Sequence, residues 1–358
     1  MRVHNFNAGP AALPLPVLQR VQEELVELPG LGMSVMEMSH RSKEFDSYLD
    51  RAENGLRQLL GLSSDYAVLF LGGGASLQFS MAPMNLLGAE DRADYLVHGS
   101  WGVKAVKEAQ KIGAARVAAT TKEDAFRRVP SSTEISLDEG AKYVHYTSNE
   151  TIEGVQWPAE PETGGVPLVC DASSDILSRP IATEKYGMIY AGAQKNIGPS
   201  GVTVVMVKNE WIEPRPDLPI MLSYATHAKE RSLYNTPNTF GIYMIGLVCD
   251  WVESLGGVAG IQKLNAAKAG LIYDAIDATD FYTGHAVKEN RSLMNVTFRL
   301  PSEELESKFA SESQKVGMIG LKGHRSVGGL RASIYNAVDI ESVKVLVDFM
   351  REFERANG

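Results

Sequence analysis

The chain has 358 residues, 44% of them hydrophobic and 22% charged, which suits a globular protein with a full core in one large domain or two smaller ones. A net charge of -9 argues against a nucleic-acid partner or an anionic membrane surface, while leaving room for a local basic pocket. Cys170 and Cys249 are the only cysteines, too few for a disulfide scaffold or a four-cysteine metal site, so we expect a reducing compartment and no metal. The opening MRVHNFNAGPAALP lacks a signal-like apolar core, and no apolar run approaches the roughly 20 residues of a spanning helix; a cytoplasmic protein without membrane partners is expected.

In chain order, residues 1–15 show no helix or strand pattern. Residues 15–29 read as an amphipathic helix with Val17, Val21, Leu25 and Leu28 on one face, and residues 42–61 as a second helix closing at Gly61. Short apolar runs follow at 66–71, 94–98, 115–119, 143–147, 166–170, 187–191 and 202–207, separated mostly by helix-length segments such as 75–87 and 102–113. Seven strands alternating mostly with helices predict an α/β domain with a mostly parallel, buried seven-stranded sheet. The turn between 187–191 and 202–207 is too short for a crossover helix, so that pair should be antiparallel. From residue 258 the pattern changes to a helix at 258–277, strands near 293–299 and 330–334, and helices at 302–317 and 339–356. We therefore expect a large α/β domain over 16–257 and a smaller α+β domain from 258–358 with the arm 1–15.

In open α/β sheets, ligands collect beyond the carboxyl ends of the strands. Gly72-Gly73-Gly74-Ala75-Ser76 follows the first predicted strand, Trp101 lies just past the second, Thr151 past the fourth, Asp171 past the fifth, and Gln194 and Lys195 past the sixth. The glycine turn opens a helix, whose free N–H groups and dipole favour a phosphate, although an ordinary tight connection explains it equally well alone. No Gly-Lys-Ser/Thr follows, so it is not a P-loop, and Leu77 stands where a dinucleotide fingerprint needs its third glycine. Asp171 ends an apolar strand, where a carboxylate needs either a cation or a capping role. Trp101 offers a flat face for stacking or simply fills core. Lys195, with Asn196, Gly198, Pro199 and Gly201 behind it, is either a solvated turn residue or an amine desolvated so that it attacks a carbonyl. Taken together, these groups describe a ligand with a phosphate, a ring bearing a protonated nitrogen and an aldehyde. Pyridoxal 5'-phosphate has all three.

The stretches NFNAGPA, VMEMSHRSKEF, GGGASLQF, NETIEGVQWP, AGAQKNIGPSG, NTPNTF and KGHRSVGGLRASIYNA occur in this order. Over essentially its whole length the chain resembles the fold-type I pyridoxal phosphate enzymes of the class V aminotransferase group, in particular the members that act on phosphoserine. The resemblance implies that Lys195 bonds covalently to the cofactor, Asp171 pairs with its ring nitrogen, Trp101 stacks on the ring and Thr151 bonds beside it. It further implies that Ala75, Ser76 and Gln194 hold the phosphate, joined by Asn235 and Thr236 of a neighbouring subunit in a homodimer with shared sites. Some members carry an arginine in the glycine-rich turn where this chain has Ala75-Ser76, which shifts the phosphate onto backbone N–H groups.

The implied substrates are O-phosphoserine, glutamate and 2-oxoglutarate, in serine biosynthesis. Relatives in some bacteria also process 4-phosphohydroxythreonine for vitamin B6, which the sequence leaves open. Each amino acid pairs an α-carboxylate with a second anion, and arginine forks match such oxyanions bidentately. Arg331 inside GGLRAS and the pairs His40-Arg41 and His324-Arg325 are the candidates. The resemblance assigns Arg331 to the α-carboxylate and the His-Arg pairs to the distal anion, with His324-Arg325 reaching across the dimer. The rivals are an alanine–glyoxylate aminotransferase, a cysteine desulfurase (neither cysteine lies in a promising loop) and a nucleotide-binding protein using its glycine turn.

Overall fold

A computed structural model describes residues 2–358. Seven strands form one sheet in the order Tyr66–Leu71, Thr203–Lys208, Tyr186–Gly192, Leu168–Asp171, Ala141–Thr147, Arg92–Val97 and Ala114–Thr120. Thr203–Lys208 runs antiparallel to both neighbours, and the other pairings are parallel. Strands such as Tyr186–Gly192 are buried along their whole length because helices cover both faces. One face packs Phe45, Leu49, Leu56, Ile242 and Val248 from helices Lys43–Leu60 and Thr239–Ser254 against Val204 and Ile189. The other packs Phe79, Ala82, Ala105 and Val106 from helices Gly74–Leu86 and Ser100–Ala109 against Leu69, Val205 and Tyr190.

Two helical readings need correction. The helix expected over 15–29 ends at Glu24; Leu28 is still buried, but through a turn, since Pro29 disfavours helical backbone at the residue before it. Helix Thr239–Ser254 escaped the periodicity reading because it is buried continuously from Gly241 to Cys249, with no polar face to mark a period. Among the described residues no single helix is long and apolar enough to cross a membrane.

A second core lies in the C-terminal part, where Phe298, Phe309, Ile334, Leu346 and Phe353 come together. There the three-stranded sheet Thr283–Gly284, Asn295–Arg299, Leu330–Ser333 packs with helices Gly257–Asp277, Glu303–Lys315 and Ile340–Asn357. The N-terminal arm joins this core through Phe6, with His4–Asn5 pairing parallel to Met318–Ile319. It then leaves for the large sheet, where Ala11 N–H donates to Gln194 O at 2.9 Å.

Candidate active site

The carboxyl ends of the parallel strands converge with the start of Thr203–Lys208, and the turn behind Tyr186–Gly192 brings Lys195 to this edge. Lys195 is half-buried and its Nζ donates to Thr151 Oγ1 at 2.8 Å, just past Ala141–Thr147. The Trp101 ring centroid lies 5.8 Å from the same nitrogen. Gly9 of the N-terminal arm passes so close that a Cβ there would stand 3.6 Å from Lys195 Cγ. Burial pulls the lysine pKa down to about 8, against the opposing pull of Asp171. An amine so placed loses its proton more readily than a surface lysine.

Asp171 is 4% exposed at the end of its strand, and its Oδ1 accepts the Ser173 N–H at 3.0 Å. No helix follows, so the capping alternative becomes a tight turn. Ser173 in turn accepts the Gly192 N–H at 3.0 Å, joining the Asp171 turn to the Lys195 strand. Burial pushes the Asp171 carboxyl up, opposed by Ser173 and by Lys195. Asp171 forms no ion pair among the described residues, so this edge presents a buried carboxyl with no cation bonded to it.

Trp101 is placed by two carboxylates that sequence reasoning did not single out. Glu150 accepts the N–H groups of Trp101 and Gly102 at 2.9 and 2.7 Å, and Glu153 accepts the Ser100 N–H at 3.0 Å. The orphan donors of helix Ser100–Ala109 are thus satisfied from another strand end, which fixes the indole beside Lys195. Gly99 is required there, since a Cβ would collide with the Glu150 side chain. Burial first, then the neighbouring Glu153, pushes the Glu150 carboxyl up.

The glycine turn behaves as a helix opening. Gly73 caps Gly74–Leu86 with φ 85°, a left-handed value that glycine adopts freely, and a Cβ there would collide with Leu77. The first N–H groups of a helix, here those of Gly74, Ala75 and Ser76, lack intrahelical acceptors. Gln194 stands just behind the Lys195 strand. Asn235 and Thr236 are exposed and line a cavity of about 350 Å³ with Gly72 and Gly73 of their own chain.

Arg331 reaches the site from the three-stranded C-terminal sheet, and its Nη1 donates to Thr151 O at 3.2 Å. It shares a cavity of about 340 Å³ with His324 and Glu153 of the same chain. Burial, with Arg331, Lys104 and Arg325 nearby, lowers the His324 pKa. The structure thus sets His324 beside the Arg331 of its own subunit, because the loop that holds it leads directly into Leu330–Ser333. Arg325 is exposed and lines a different groove, of about 700 Å³. Arg41 is exposed and His40 half-buried with an unpartnered Nε2, and neither side chain hydrogen-bonds to the lysine cluster. The edge therefore gathers Lys195, Thr151, Asp171, Trp101 and Arg331.

Residues 3–346 match the class-V aminotransferase family. The chain belongs to that family. Its relatives are similar end to end. A phosphoserine aminotransferase of Herpetosiphon aurantiacus is 55% identical, the match covering 100% of both chains. The solved phosphoserine aminotransferase of Bacillus circulans subsp. alkalophilus is 54% identical, with a TM-score of 0.98 over 100% of this chain and 99% of that one. The pyridoxal phosphate-bound phosphoserine aminotransferase of Trichomonas vaginalis is 38% identical, with a TM-score of 0.94 over 98% of this chain and 100% of that one.

Within this aminotransferase, the contacts that sequence reasoning missed are Glu150 and Glu153 behind Trp101, Ser173 behind Asp171, and the arm residue Gly9 against Lys195. The acidic pair in NETIEG carried a usable signal: two carboxylates just past an apolar strand must find donors. Gly9 carried none, since its contact depends on how the arm crosses between two cores.

Proposed function

We propose that this aminotransferase exchanges the amino group of O-phosphoserine with 2-oxoglutarate, giving 3-phosphohydroxypyruvate and glutamate, with pyridoxal phosphate as cofactor, in the cytoplasm. The observation that carries the reading is the half-buried Lys195, its pKa lowered to about 8, beside a buried Asp171 that has no cation of its own. The groups present fit the cofactor. A ring N–H would supply the missing partner of Asp171, the N–H groups at Ala75–Ser76 and the Gln194 amide would take a phosphate, and Trp101 would cover a ring face. Bound pyridoxal phosphate supplies an aldehyde for amino groups and a ring that accepts the electron pair left at Cα.

The chain's own residues do the rest. Lys195 would hold the cofactor covalently, and its amine, neutral once its proton is lost, would be the base placed to take the Cα proton. Asp171, buried and without a cation of its own, would hold a proton on the ring nitrogen. Thr151 orients the lysine nitrogen, and Arg331 orients the α-carboxylate, since its guanidinium is held on the Thr151 carbonyl. His324 faces the same cavity as Arg331 and takes the distal anion, with His40, Arg41 and Arg325 completing that charge. A cysteine desulfurase is disfavoured: both thiols are buried, and burial pushes Cys249 to about 12 and Cys170 well above its ordinary value. The direct test is a visible spectrum of the purified protein before and after O-phosphoserine. A lysine-bound cofactor band that bleaches on addition supports the reading, and a protein that takes up no cofactor overturns it.

The enzyme works as a homodimer with shared sites, to which Arg325, exposed and outside the Arg331 cavity, contributes across the interface together with Asn235 and Thr236. Refolding Lys195→Ala and Arg325→Ala chains together tests this. About half the dimers would be hybrids with one intact site of two, so activity should recover to roughly a quarter of wild type. Recovery no greater than the sum of the separate variants would place Arg325 in its own subunit's site.

A further inference from the structure

The segment Ile334–Val338 follows directly on the strand that carries Arg331. Lys268, 2% exposed in helix Gly257–Asp277, donates to the carbonyl oxygens of Ile334, Tyr335 and Val338 at 3.0, 2.7 and 3.0 Å. Each ammonium donor thereby has an acceptor, so the buried amine is compensated and the segment is held from the small-domain side. On the same helix the fully buried Asn265 donates to Asn336 Oδ1 at 2.8 Å.

Asn336 directs its remaining donors at the large domain. Its N–H donates to Asn196 Oδ1 at 3.0 Å and its Nδ2 to Leu177 O at 3.0 Å. Asn196, the residue after Lys195, is itself tied to Ile176 O at 3.1 Å. Leu177 lies in the turn that begins at Asp171 and has φ 57°, a left-handed value that a leucine keeps only where its surroundings hold it. One residue thus touches the turn of the lysine through its backbone N–H, and the turn of the carboxylate and the helix that anchors the strand of Arg331 through its side-chain amide.

We infer that Asn336 is a positioning residue, whose side chain locks the Asp171 turn to the helix behind the strand of Arg331 while its backbone N–H holds the adjoining Lys195 turn, so that amine, carboxyl and guanidinium keep one fixed geometry. The inference rests on the roles of those three groups proposed above. It adds that their spacing is set from the small domain, through a group that touches neither substrate nor cofactor. Misplacement by about 1 Å can slow a reaction on the order of 100-fold, so a modest loosening of this junction should be visible.

The experiment compares holoenzyme with Asn336→Ala, which removes the side-chain bonds to Leu177 and Asn265 and keeps the backbone bond to Asn196, measuring kcat and KM for glutamate, the pH midpoint of the cofactor's visible band, and thermal stability. We expect kcat to fall by roughly 10- to 100-fold with KM changed less than about threefold. The band midpoint should move as well, since it reports the surroundings of the lysine nitrogen, which a merely less stable protein would not alter at a temperature where it stays folded. A kcat within about twofold of wild type with an unmoved midpoint overturns the inference, as does a loss confined to KM. Should Asn336→Ala fail to fold, Asn265→Ala decides: it removes the donor to Asn336 Oδ1 and should give a smaller loss with a midpoint shift in the same direction. No change in either quantity overturns the inference. A lysine-bound band persisting in Lys195→Ala would instead show that the underlying role of Lys195 is mistaken, a failure that is seen separately.

Discussion

The two ends of the candidate site are built differently. At the lysine end, Asp171, Thr151 and the groups holding Trp101 are buried and bonded to strand ends or helix N–H groups, so each has one position before any ligand arrives. At the end proposed to take the distal anion, Arg41 and Arg325 are exposed and the loop around His324 is held mainly by bonds within itself, such as Gly328 N–H to His324 O at 2.8 Å. Bond-breaking chemistry needs groups preorganised within a fraction of an ångström. Anion recognition tolerates movement, because charge attraction falls off gently with distance and arginine side chains are long.

The contrast breaks most sharply at the lysine. Lys195→Ala should abolish the lysine-bound cofactor band and lower turnover by at least about 10⁴-fold, because covalent attachment and proton transfer go together. Substantial transamination by the folded variant would sink the reading. Asp171→Asn should leave the fold intact and slow proton abstraction by roughly 10²- to 10³-fold, since a neutral amide does not hold a positive ring nitrogen. A rate within a few-fold of wild type would reduce Asp171 to a turn residue. At the other end, Arg41→Ala or Arg325→Ala should cost roughly 1.5–3 kcal/mol in kcat/KM for O-phosphoserine and glutamate, and little for alanine, which has no distal anion. Equal losses for all three would remove these arginines from that role.

The smallest effect concerns pH. Because the Lys195 pKa is lowered to about 8 and the neutral amine is the nucleophile, covalent capture of the cofactor by the cofactor-free protein should speed up as pH rises through about 8 and level off above it. Stopped-flow absorbance reads this directly. A rate still climbing near 10.5, the ordinary lysine value, would show that the amine is not desolvated.

Much of the lysine end was legible in the chain because it is built from strand ends. Once short apolar runs alternate with helices, the residues just past each run must meet at one edge, and Lys195, Asp171, Thr151 and Trp101 were found that way. The short connection behind Tyr186–Gly192 likewise dictated the antiparallel pair. The anion end was less legible. His40-Arg41 and His324-Arg325 look alike as sequence pairs, yet only His324 shares a cavity with Arg331, since only that loop leads into the Arg331 strand.

By itself, then, the amino-acid order determined the layering around the seven-stranded sheet and the identity of the groups at its candidate site, because both follow from local periodicity and strand-end position. Tertiary structure alone decided what holds those groups still. Glu150 beneath Trp101, Gly9 against Lys195, and Asn336 between Asn196 and Leu177 join residues far apart in the chain. No local pattern marks such partners; they exist only where separate cores pack together and a buried polar group has to take whichever partner the packing supplies.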